Sequence, residues 1–169
     1  MGKVLKDIPK VRVILEDDGL IRKEVNMQRR SAFIYVPPEV AVKREIRALK
    51  RLKKINNLSR YVRRESPRVF YITFVEGTAI CDHKGKLSHK YFDQLTKLIK
   101  KIHKKGVFRI YYREEDILIA PDGEPALIDF GNVLFHDDPK AKLPGLVLGI
   151  KIFHYFRFRK LRKRFTRRK

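Results

Sequence analysis

Asp129 closes the apolar run Ala126-Leu127-Ile128 and is followed at once by Phe130 and Gly131. Upstream, the acidic turn Glu114-Glu115-Asp116 leads into a second apolar run, Ile117-Leu118-Ile119. Carboxylate oxygens are the hard ligands that Mg2+ prefers, which makes Asp116 and Asp129 candidate ligands for a divalent cation. Far from both in sequence, Lys23 stands in the middle of the run Leu20 to Val25. Glu45 has Ala41, Val42, Ala48 and Leu49 three and four positions away, so no basic residue is placed to pair with it along a helix. These residues suit chemistry on a metal-bound phosphate.

The elements that must position them can be read in order. Val11 to Leu15 and Leu20 to Val25 are β-branched runs joined by Asp17-Asp18-Gly19, a hairpin signal that puts Lys23 mid-strand. Met27 to Ile34 is basic and reads as an irregular loop. Pro37-Pro38-Glu39 opens a helix in which Val42, Ile46, Leu49 and Leu52 keep helical spacing, and Asn56-Asn57 ends it. Val69 to Val75 is apolar on both faces and reads as a central strand, broken by Glu76-Gly77-Thr78. Ser88 is placed to cap a helix that buries Phe92, Leu95, Leu98 or Ile99 and Ile102, and Gly106 is placed to stop it. Short strands are expected around Asp116 to Ala120 and Pro125 to Ile128, joined by Pro121-Asp122-Gly123. From Leu146 the chain reads as a helix with Ile150, Phe153, His154, Phe158, Leu161 and Phe165 on one face.

With 169 residues the chain fits one domain of ordinary size. Its formal net charge of +22 points to polyanionic partners: phosphorylated ligands, nucleic acid or an anionic membrane face. Cys81 is the single cysteine, which excludes a disulfide framework, and no Cys/His spacing suggests zinc. Met1 to Lys10 has no apolar signal region and no run is long enough to span a bilayer, so an intracellular protein is expected.

The order of a strand lysine, a helix glutamate, a central strand with a Glu-Gly break, a helix ending in glycine and an Asp-Phe-Gly segment resembles the protein-kinase-like fold. Within it the chain is similar to the small bacterial branch of lipopolysaccharide core kinases, which phosphorylate heptose or Kdo sugars. The likeness covers roughly residues 11 to 133. It implies an α+β, truncated kinase-like domain. Residues 1–75 would form a small N-terminal β-lobe with one long helix. Residues 81–169 would form a mainly helical C-terminal lobe ending in a basic helix, 146–169. By the same resemblance, Lys23 would hold the ATP α- and β-phosphates and Glu45 would fix Lys23. The backbone around Glu76 would meet the adenine, and Asp116 and Asp129 would hold Mg2+.

The resemblance breaks at two places. Kinases of this fold place an Asp in the catalytic loop to accept the substrate hydroxyl proton, and that position here is Tyr111. A phenol, with an ordinary pKa of about 10, is protonated at neutral pH and is a poor base. Arg109 stands at the loop's usual histidine, and Arg113 falls where a lysine often stabilises the transferring phosphoryl group. Glu114 or Glu115 is left as a substitute carboxylate. The second break is the Gly-rich phosphate loop: only Gly2 and Gly19 precede Lys23. A pseudokinase that serves as a membrane- or partner-binding module is therefore the alternative to an active ATP- and Mg2+-dependent enzyme.

Nine of the thirteen residues from Arg157 to Lys169 are basic, and no acidic residue follows Asp138. Phenylalanines interleave with these charges. The pattern suits an anionic inner-membrane surface, with the protein cytoplasmic and peripheral on that face, and the resemblance to sugar kinases implies a lipid-linked phosphorylated sugar acceptor there. Nucleic-acid phosphates, and simple packing of the apolar stripe with solvated arginines, are the other two readings.

Overall fold

The computed structural model describes residues 2–26, 29–31 and 34–167. In order, the elements are β1 (Lys3–Ile8), β2 (Val11–Leu15), β3 (Leu20–Val25), β4 (Arg29–Ser31), β5 (Ile34–Val36), α1 (Pro38–Leu52), β6 (Tyr61–Arg64) and β7 (Val69–Thr73). They continue with β8 (Thr78–Ala79), α2 (His89–Lys104), β9 (Val107–Arg109), β10 (Ile117–Ile119), β11 (Pro125–Leu127), β12 (Val133–Phe135) and α3 (Leu146–Thr166). Single 3-10 turns cover Glu114–Asp116 and Pro139–Lys142. The chain forms two compact units. One comprises Met1–Lys54, Ser59–Phe74 and Asp129–Gly131; the other comprises Ile55–Leu58, Val75–Ile128 and Asn132–Lys169.

In the first unit an antiparallel sheet runs β1-β2-β3-β7-β6. The Asp17-Asp18-Gly19 turn sets β2 against β3 with Lys23 opposite Val13, and β7 pairs on the far side with Phe70 opposite Lys23. Gly19 takes φ +78°, the left-handed backbone this turn requires. Side chains alternate between faces in a strand, so Lys23 shares the inward face with Ile21 and Val25, all three buried. α1 begins on Pro38, whose missing N–H has no helical partner to lose, with Glu39 in its first turn. Its inward stripe, Ala41, Val42, Glu45, Ala48, Leu49 and Leu52, includes one charged residue.

Several expectations need correction. Arg29–Ser31 and Ile34–Val36 pair antiparallel, so the segment read as an irregular loop contains a short ladder; Met27, Gln28, Ala32 and Phe33 lie outside the described residues. α1 stops at Leu52, before Asn56-Asn57, and Asn57 takes φ +63°. The strand expected from Asp116 begins at Ile117, with Asp116 closing a 3-10 turn. β1 and β6 were not anticipated.

In the second unit Ser88 caps α2 by accepting from the Tyr91 N–H at 3.1 Å. Gly106 follows the helix at φ +69°, and a Cβ there would sit 2.2 Å from His136 Nδ1. α2 buries Tyr91, Phe92, Leu95, Leu98, Ile99 and Ile102. α3 presents His154, Phe158, Leu161 and Phe165 to the interior. Phe153, expected on that face, is 47% exposed. Phe165 is fully buried, which stabilises the docked helix by about 1.5–3 kcal/mol, and its carbonyl accepts from the Leu87 N–H at 3.1 Å. The last two residues of the basic tail, Arg168 and Lys169, lie outside the described residues.

Candidate active site

Lys23, Glu45 and Asp129 meet in the first unit. Lys23 Nζ donates to Glu45 Oε1 at 2.5 Å and lies 3.4 Å from Asp129 Oδ1. Both Lys23 and Glu45 are buried, so carboxylates on either side of the lysine, and not solvent, meet its side-chain nitrogen. The Lys23 ammonium also stands 5.7 Å from the Phe70 ring centroid. Asp129 takes φ +61°, and its Oδ1 accepts from the Gly131 N–H at 3.1 Å. The turn after β11 thus aims the carboxylate at the lysine through left-handed backbone that Asp tolerates better than most residues.

The hairpin in front of this cluster is not a phosphate cradle of the Gly-rich kind. β1 and β2 are joined by Pro9-Lys10, with Ile8 opposite Val11. Pro9 has no N–H, so the turn offers fewer backbone donors than a glycine loop of equal length.

The catalytic-loop segment belongs to the second unit. Arg109, 2% exposed, donates through Nη2 to Asp116 Oδ2 in a buried ion pair, and through Nη1 to the Ile128 carbonyl at 2.9 Å. The Ile128 N–H in turn donates to the Asp116 carbonyl at 3.1 Å. Arg109 and Asp116 therefore clamp the peptide that precedes Asp129 in the chain. The Asp116 carboxylate expected to serve Mg2+ is balanced by an internal guanidinium.

The other loop candidates are engaged with α3 or with one another. Tyr111 lies 4.1 Å from the Arg157 guanidinium and 6.2 Å, centroid to centroid, from the Phe153 ring. Glu114 takes a bidentate contact from Arg164 Nη1, at 2.9 Å to each oxygen. Glu115 accepts from Arg113 at 3.0 Å. Arg157 Nε also donates to the Tyr112 carbonyl at 2.8 Å, and Arg162 reaches Asp93 at 2.9 Å. Three tail arginines are thus used in internal contacts, a role that composition alone did not reveal. Glu76 is exposed in the segment between β7 and β8. Next to it, a Cβ on Gly77 would lie 2.7 Å from the Ile119 carbonyl oxygen, so this close approach requires glycine.

Behind the loop, His103 and His154 stack at 5.4 Å, and Tyr112 packs edge-on to His154 at 4.9 Å. Burial lowers both histidines to about 4, with Lys151 adding to the effect on His103 and the neighbouring His103 adding to it on His154. Burial also raises the Tyr112 phenol above its ordinary range.

Among the described residues no group of three or more His, Cys, Asp or Glu side chains is placed to hold a metal ion. Mg2+ in phosphate-transfer sites is bound by one or two carboxylates together with the phosphates themselves, so Asp129 fits as its protein ligand. Asp116 would have to share its charge with Arg109.

No protein-family model matches the sequence. CBL-interacting serine/threonine-protein kinase 24 of Arabidopsis thaliana is 35% identical over 99 residues, which is 53% of this chain and 22% of that protein. Rio2 kinase of Chaetomium thermophilum, in a structure described as its ADP/Mg2+-phosphoaspartate complex, superposes with a TM-score of 0.63 at 16% identity, covering 98% of this chain and 61% of that one. A second structure of Rio2 kinase from the same organism gives 0.61 at 17%, covering 89% and 56%. The fold is that of the protein kinases, mixed α and β with a small N-terminal sheet and a C-terminal helix. The chain spans less than two thirds of each of these proteins.

Proposed function

We propose that this protein binds Mg·ATP through Lys23, Glu45 and Asp129 and acts as a phosphotransferase on a lipid-linked, phosphorylated sugar of the lipopolysaccharide-core type. The observation that carries the proposal is the buried lysine held between two carboxylates. Lys23 would orient the α- and β-phosphates, Glu45 would hold Lys23 in place, and Asp129 would hold Mg2+, which supplies charge neutralisation on the transferring phosphate. ADP and Mg2+ in the Rio2 structure support the same cofactors here. Arg113, side-chain exposure 60%, would meet the acceptor or its phosphates.

A second reading has its own observation. With Tyr111 packed on Arg157 and with Glu114 and Glu115 in ion pairs, the loop holds no carboxylate base outside an ion pair. That arrangement favours a pseudokinase that binds nucleotide and docks on a partner surface.

Titration calorimetry with Mg·ATP and an ADP-release assay on heptose- and Kdo-containing acceptors separate the two. Lys23→Met and Asp129→Asn are expected to weaken Mg·ATP binding by about tenfold or more, since each removes a contact to a charged group. Turnover above the Asp129→Asn control establishes the enzyme. Binding without turnover leaves the pseudokinase, and absence of binding refutes both.

The anionic membrane face enters the proposal through α3. Leu148, Ile152, Tyr155 and Phe156 are exposed on its outer side, followed by exposed Arg159, Lys160 and Lys163. No helix among the described residues is long and apolar enough to cross a membrane. Such a helix would lie on a cytoplasmic leaflet, each basic residue contributing about 1 kcal/mol near anionic lipid. Sedimentation with phosphatidylserine vesicles is expected to be lost on Arg159→Glu/Lys163→Glu and absent with phosphatidylcholine. Equal binding to both lipids would remove the membrane from the proposal.

A further inference from the structure

α1 has a second functional face, turned away from Glu45. Lys43, Arg47 and Lys50 follow one another at helical spacing along it with Arg51 one turn beyond Arg47, and Arg64 of β6 faces them across a groove of about 460 Å³. Ile46 and Tyr61 line the same groove and give it an apolar floor. Among the described residues no acidic one lines it. The two acids of α1 are engaged elsewhere: Glu39 accepts from Arg68 at 2.5 Å, and Glu45 from Lys23 at 2.5 Å.

The cations are also oriented. Lys50 Nζ stands 4.9 Å over the Tyr61 ring, which holds the ammonium at the groove wall. Arg64 donates from Nε to the Ser66 carbonyl at 2.8 Å and from Nη2 to the Pro67 carbonyl at 2.9 Å, which fixes its guanidinium. Arg63, next to it in the strand, points to the other face and stacks on Tyr71 at 3.8 Å. The groove therefore collects one arginine of β6 and four basic residues of α1. Its volume is that of a small-molecule site, and its chemistry is that of phosphate recognition, in which guanidinium groups take two oxygens at once.

We infer that the α1/β6 groove is a binding site for a multiply phosphorylated small molecule, separate from the Lys23 cluster. A ligand bound there bridges α1 to β6. Because Glu45 and the groove residues occupy opposite faces of α1, the inference stands independently of nucleotide binding at Lys23.

The probe is inorganic tripolyphosphate, titrated into the full-length protein by calorimetry. Arg47→Ala/Lys50→Ala, two exposed positions, is expected to weaken its binding by about tenfold or more. Lys97→Ala/Lys100→Ala, two exposed positions on α2 outside the groove, is expected to leave it unchanged. In the unsubstituted protein, hydrogen exchange is expected to slow along α1 and β6 when tripolyphosphate is added. Binding indifferent to the groove substitutions, binding lost with Lys97→Ala/Lys100→Ala, or exchange slowed only outside α1 and β6 would overturn the inference. So would saturable binding of single-stranded RNA at the groove with no binding of tripolyphosphate, which would mark a nucleic-acid surface.

Discussion

Replacing Arg109 by methionine is expected to destabilise the protein by about 3–5 kcal/mol, the largest effect of any single substitution considered. The reason lies in what is left behind. Arg109 and Asp116 are both buried, and removing the guanidinium strands a carboxylate away from water. The Ile128 carbonyl loses its side-chain donor in the same step. Urea unfolding of the variant measures the loss. Arg109→Met combined with Asp116→Leu is expected to recover most of it, because two apolar groups of similar size do not carry the desolvation penalty. By contrast, breaking Arg113–Glu115, where both side chains are more than half exposed, is worth about 0–1 kcal/mol. A loss of under about 1 kcal/mol in Arg109→Met would show that solvent reaches the pair.

Acid is expected to destabilise the protein between pH 6.5 and about 4 through His103 and His154. Both are held neutral in the folded chain down to about 4, whereas in the unfolded chain they take up protons near 6.5. The unfolded state therefore binds more protons across that window, and stability falls as pH falls. The cause is burial first. Lys151 beside His103, and His103 and Arg109 beside His154, then oppose a further positive charge. His103 is partly exposed, so the combined loss is about 2 kcal/mol after allowance for solvent screening. Thermal unfolding at pH 7 and pH 4.5 measures it. A His154→Phe protein, which keeps the stacked ring without the titrating nitrogens, is expected to show a shallower dependence. An unchanged slope would mean that other groups carry it.

Much of the first unit could be read directly from the residues. Asp17-Asp18-Gly19 sets the β2–β3 register and so places Lys23. Glu45 betrays itself by lying in an apolar stripe with no basic residue three or four positions away. Both signals are local, and local patterns survive in sequence. β1 was invisible because Lys3, Lys6 and Asp7 leave no apolar alternation in a strand that is almost wholly exposed. β6 was hidden by its arginines in the same way. β8, β9 and β12 are two or three residues long and exist through pairing with distant chain, which no periodicity can announce. The catalytic loop was legible by type but not by partner. Nothing near Glu114 points to Arg164, fifty residues on, and nothing in Tyr111 points to Arg157. α3 shows the same limit. Its buried face was placed on both Phe153 and His154, and of the two only His154 turns inward, where it stacks on His103.

The left-handed backbone at Asp129 bears on how this chain can change over generations. Glycine, asparagine and aspartate enter that conformation at little cost, while most other side chains do not. One nucleotide change converts an aspartate codon into an asparagine or a glycine codon. Folding therefore gives the carboxylate little protection, since either replacement would satisfy the backbone. A lineage could lose the charge at this position in one step and keep the fold intact. The demand for a negative charge beside Lys23, and for a metal ligand there, is what distinguishes aspartate from its two tolerated substitutes.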